Sequence, residues 1–214
     1  MSTLLDLDLD LDTTPERSGT SPAGQRRRSW QAKSLVAGGV LFGVGNALHP
    51  LEHTDAAYKA ATWEAAHLLI LASIPLLILG LPVVHRMLRG RVSDRWALLP
   101  VVSVMVGLVG LAPGTVIETF IAPTIGNAAM TELESGGMGI VDAVFGIAFL
   151  GGTLALGWAL RRSGVRPRWA GPALMGIAGV LLVCMGLTGP IGGIVIISAT
   201  IAYGSALAIL GLRA

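Results

Sequence analysis

Seven polar residues stand inside or beside otherwise apolar stretches of this 214-residue chain: Asn46, His49, His53, Glu64, His67, Glu118 and Asp142. Ionisable groups in such surroundings are costly, so each is a candidate functional position. Asn46, His49 and His53 follow an i, i+3, i+7 spacing, which puts them on one stripe if a helix runs through all three. Pro50 has no N–H to offer the carbonyl of Asn46, so a kink or a helix end is expected there, exposing that oxygen beside His49. Glu64 and His67 are i, i+3 neighbours, and Glu64 is expected to turn toward His67.

Two chemistries are open to this set. His49, His53, His67 and Glu64 form a metal-ligand group of a kind that zinc, iron and copper accept, and a haem b held between His49 and His67 is the related arrangement. The match to known ligand spacings is partial. Glu is not placed as H-E-x-x-H requires, and one Glu-x-x-His unit is present where carboxylate-bridged bundles use two. The other chemistry is a proton or solute pocket lined by Asn46, His49, Glu64, His67, Glu118 and Asp142. Histidine exchanges protons near neutral pH, and desolvation strengthens a carboxyl group's hold on its proton. A purely structural role competes with both: His49 and His53 at the wet headgroup level, Glu64 and His67 satisfying each other, Asp142 near a helix start where negative charge is favoured. No P-loop and no G-x-S-x-G occurs, no catalytic residue is assigned, and a non-enzymatic role is expected. Cys184 is the single cysteine, which excludes an intramolecular disulfide and a Cys-based zinc site.

The elements that must position these groups follow from composition. At 53% hydrophobic, 13% charged and a mean hydropathy of +0.71, the chain is suited to lipid rather than to water. Apolar segments recur at about 34–51, 63–85, 96–122, 138–160, 169–188 and 191–212. Each can cross a bilayer as a helix, which satisfies its own backbone hydrogen bonds; continuous apolar runs do not suit a barrel. The expected fold is therefore an all-α integral membrane protein, a bundle of six transmembrane helices in one domain, residues 34–214.

Basic residues orient it. Arg86, Arg89, Arg91 and Arg95 follow the second segment, Arg161, Arg162, Arg166 and Arg168 follow the fourth, and Arg213 ends the chain. The opposite loops contain Lys59 alone among basic residues, together with Glu52, Asp55, Glu132 and Glu134. Lys and Arg collect in cytoplasmic loops, so both termini are expected in the cytoplasm. Trp30, Trp96, Trp158 and Trp169 fall near cytoplasmic ends and Trp63 near an outer end, at the headgroup level that tryptophan prefers.

Residues 1–33, acidic and then basic, read as a disordered cytoplasmic tail. Small-residue pairs at Gly39/Gly43, Gly110/Gly114, Ala148/Gly152 and Gly204/Ala208 suit close helix packing, within the chain or against a second copy or a membrane partner. Pro113-Gly114 is the expected break in the third span. The arginine bias fits a GC-rich bacterial coding sequence, and hence the plasma membrane. Topology and anionic lipid account for the arginine clusters, and no nucleic-acid partner is expected.

Overall fold

A computed structural model describes residues 22–184 and 189–214. The described residues form helices and no strands. In chain order these are α1 (Pro22–Leu48), α2 (Asp55–Tyr58), α3 (Ala61–Gly80), α4 (Pro82–Leu88), α5 (Asp94–Phe120), α6 (Ala122–Ser135), α7 (Gly137–Ser163), α8 (Ala170–Cys184) and α9 (Gly189–Leu212). Four of the helical stretches, α3 continued by α4, α5, α7 and α9, are long and apolar enough to cross a membrane. α8 is apolar but shorter.

Six of these helices close into a ring in the order in which the chain makes them: α1 against α3, α3 against α5, α5 against α7, α7 against α8, α8 against α9, and α9 back against α1. Small residues bring the members together where apolar burial alone gives no preference between neighbours and lipid. A Cβ on Gly39 would strike the carbonyl of Gly204, and one on Gly204 would lie 2.5 Å from the carbonyl of Gly39, so α1 and α9 touch backbone to backbone. Gly152 packs in the same way on Val104, and Gly157 on Gly171. Gly110 is filled by the ring of Phe145. The small-residue stripes are thus occupied by neighbours within the chain.

Three expectations need correction. Residues 22–33, expected as tail, continue α1. Pro22 opens the helix, Gln, Arg, Ala and Lys are good helix formers, and Arg28 Nε donates to the carbonyl of Ala214 at 2.8 Å. Residues 1–21 of that tail lie outside the described residues. The second correction concerns the prolines at 75, 82 and 113, each of which stands in an apolar run where a bend or break is expected: the chain is interrupted at Leu81, ahead of Pro82, but α3 runs on across Pro75 and α5 across Pro113. The third concerns the stretch after α5, expected as a plain outer loop, which contains the helix α6.

α4 folds into the arginine-rich end of the ring, where Val83, Val84 and Leu88 are buried with Leu81. α2 and α6 lie at the other end, over a small cluster of Tyr58, Trp63, Ala122 and Met130. They cap the part of the ring in which most of the polar residues gather.

Candidate functional site

α1 stops at Leu48, and the chain turns through His49–Thr54 before Thr54 caps α2, accepting from the N–H of Ala57 at 3.1 Å. Asn46 is buried, and its side-chain amide donates to the carbonyl of Phe42 at 2.8 Å. Its own carbonyl is met by the N–H of His49 at 3.2 Å, so the oxygen that Pro50 leaves without a partner is taken up by the turn. His49 Nδ1 lies 2.7 Å from the carbonyl of Pro50. A carbonyl only accepts, so Nδ1 carries the hydrogen and a neutral His49 has its Nε2 lone pair free.

His67 is buried to 1% exposure on α3. Its Nδ1 donates to the carbonyl of Trp63 at 2.7 Å, and its Nε2 meets Glu118 Oε2 of α5 at 3.1 Å. Trp63 Nε1–H donates to the backbone carbonyl of Glu118 at 2.8 Å, a second tie between the same two helices. With Nδ1 committed as a donor, the Nε2–Oε2 contact needs one hydrogen, on the imidazole or on the carboxyl group. Three rings then gather around this pair at tilted or edge-on angles: His49 is 4.8 Å from His67, and Trp63 is 4.1 Å from His67 and 5.3 Å from both His49 and His53. Trp63, expected at the headgroup level, is the buried hub of the group.

α6 is positioned by α2. Gly126, at φ +80°, takes a conformation that other residues resist, and the chain then re-enters a helix at Asn127. Asp55 Oδ1 accepts from the N–H of Asn127 at 2.7 Å, capping that helix from a different element, while the Tyr58 hydroxyl donates to Asn127 Oδ1 at 3.2 Å. Asn127, Thr131 and Glu134 then share one face, at i, i+4 and i+7. Burial raises the Glu134 carboxyl above its ordinary pKa, and the Glu118 charge adds to the shift. Burial first, and then the Glu134 charge, raise Tyr58.

These elements enclose a cavity of about 910 Å³ on the axis of the ring. Its charged and titratable lining is Glu52, Glu118, Glu134, His49, His53 and His67, and among the described residues it has no Lys or Arg. His53, Glu52 and Glu134 are exposed at its mouth. Phe42 and Phe149 form its floor, each edge-on to the buried Tyr203 at 5.8 and 5.0 Å. Fully buried Leu77 on α3 and Leu81 just after it lie in the direction of the arginine-rich end.

Of the residues expected from the sequence, Asn46, His49, His53, His67 and Glu118 meet in this cavity. Glu64 does not: it is exposed on α3 and outside the lining, and the carboxylate on His67 is Glu118. Asp142 is exposed on α7, outside the lining, near Gly114. The expected ligand set His49, His53, His67 and Glu64 therefore does not assemble, because both ring nitrogens of His67 are engaged and Glu64 points away. A haem between His49 and His67 does not fit either, since the two rings are too close to admit a macrocycle. The group that does bring ligand atoms together is His53, Glu118 and Glu134, all within 4.8 Å of one another. Glu134 and its helix had no local signal beyond an acidic residue in an outer loop. Comparison with family models, curated proteins and solved structures finds no match.

Proposed function

We propose that the chain is a six-span plasma-membrane protein with both termini in the cytoplasm, and that its outer cavity binds a small cation as part of carrying it. The observation behind this reading is the lining: three carboxylates and three imidazoles, with no Lys or Arg among the described residues. A cleft whose fixed charges are carboxylates concentrates cations, and Glu118, the least exposed of the three, gains most from a positive partner. Six crossings are supported by the ring. α1 is packed along both α3 and α9, which are long and apolar enough to span, and α8 along α7 and α9. Exposed Ile140, Ile147, Val183 and Ile191 then face hydrocarbon. The orientation is supported by the gathering of basic groups at the end opposite the cavity, where Arg28 reaches the C-terminal carbonyl of Ala214, and Arg162 covers Trp158, itself 4.6 Å from Trp96.

The test is a thermal-stability panel on the purified chain in detergent, comparing Na⁺, ethylammonium and Co²⁺ chlorides with the phosphate and sulfate of a bulky organic cation, N-methylglucammonium. A bound ligand stabilises the folded state by about 2.7 kcal/mol at a hundredfold excess over its Kd. The expected result is a higher melting temperature with one cation class and none with the anions at equal ionic strength. Stabilisation by anions, or by no cation, would overturn the reading.

A further inference from the structure

We propose that the cation is a divalent first-row transition ion, held at the mouth of the cavity by His53, Glu118 and Glu134. This rests on the cation-binding reading above and narrows it. The three donors come from three separate elements: the turn after α1, the outer end of α5, and the last turn of α6. Such groups converge from distant parts of a chain only where the fold places them together. Their ligand atoms lie within 4.8 Å of one another. Ligands at roughly 2.0–2.2 Å from a tetrahedral ion are about 3.4 Å apart, so closing on an ion needs a movement of about 1 Å. Exposed His53 and Glu134 have the rotamer freedom to make it.

The surroundings match what a metal site requires beyond its ligands. His67 Nε2 holds Glu118 Oε2 at 3.1 Å, and this fixes the carboxylate while leaving Oε1 for an ion. His49 presents the arrangement usual for a ligating histidine: Nδ1–H is donated to the carbonyl of Pro50, and Nε2 is free. Its ring is 5.3 Å from that of His53, beside the three convergent donors but not one of them. α6 is itself tied in place through Asp55, so Glu134 is presented by a capped helix rather than by a free loop. One imidazole with two carboxylates suits Zn²⁺, Fe²⁺, Mn²⁺ or Co²⁺; Ca²⁺ wants six to eight oxygens, and a hard monovalent ion such as Na⁺ prefers oxygen to imidazole nitrogen.

The experiment is a Co²⁺ titration of the metal-stripped, tag-free chain, followed by visible absorption and calorimetry, with Glu64→Gln as the control. One Co²⁺ per chain is expected, with affinity reduced about ten- to a hundredfold in His53→Ala and in Glu134→Gln and unchanged in Glu64→Gln. Both test positions are exposed, so these variants retain the fold, as a melting curve without metal checks. Binding that is indifferent to both substitutions, or no Co²⁺ bound below about 1 mM, would overturn the site. Stabilisation by ethylammonium or Na⁺ without Co²⁺ binding would overturn the metal site alone and leave the cation cavity standing. Absence of all three would remove both.

Discussion

His67 is held by two oxygen partners of different kinds, a backbone carbonyl and a carboxyl group, and this makes it the residue on which the geometry of the cavity turns. The Trp63 carbonyl can only accept, so Nδ1 must donate to it, and Nε2 is left to share one hydrogen with Glu118. His67→Phe keeps the ring but leaves a carboxyl group and a carbonyl without their partner, at a cost of about 2 kcal/mol. Glu118→Gln keeps an amide that can still pair with Nε2. In detergent, His67→Phe should therefore melt several degrees below the wild type, and Glu118→Gln should lose less than half as much. Equal losses would mean that the pair contributes little beyond volume. The histidines of this cluster were legible in the sequence as costly polar groups at one depth, but not as a helical stripe, since α1 ends at Leu48 and His49 and His53 stand on the turn that follows. Their carboxylate partner was not. The i, i+3 spacing made Glu64 the local choice, but Glu64 stands exposed while His67 is buried, and the true partner is 51 residues away on another helix.

α6 is the element that spacing and hydropathy could not foresee. It is short, polar on much of its surface and interrupted at Gly126, and its cap comes from Asp55 on the far side of two long helices. Nothing local distinguishes it from a loop. The six long helices, in contrast, are visible as apolar runs, since each satisfies its own backbone and their ends fall within a few residues of the composition shifts, except at α1. There, good helix-forming residues carry the helix outward past the apolar run to Pro22. Asp55→Ala should remove about 1 kcal/mol of capping energy from α6 with little effect on the ring. Hydrogen exchange should then speed up over residues 127–135 and stay unchanged in α3 and α5, and Co²⁺ affinity should fall although no ligand has been altered. Unchanged protection of 127–135 would show that Tyr58 and the packing of Met130 hold α6 without the cap.

A closed ring built in chain order gives the whole molecule two unlike ends. One gathers the arginines, Arg28 with the C-terminal carbonyl, and the buried α4; the other opens into the acidic, imidazole-lined cavity above Phe42, Phe149 and Tyr203. Charge asymmetry along the sequence already implied this division, because basic residues fall in alternate connections. That the ring closes α9 on α1 follows from Gly39 meeting Gly204, a contact that small residues permit but do not announce. A cation cavity of this kind is useful only if it opens to the outside of the cell. In a background where Cys184 is replaced by Ser, Thr131→Cys on the cavity face of α6 should react with an impermeant maleimide added to intact cells, whereas Ser93→Cys ahead of α5 should react only after permeabilisation. Labelling of Ser93→Cys from outside, with Thr131→Cys protected, would contradict the account.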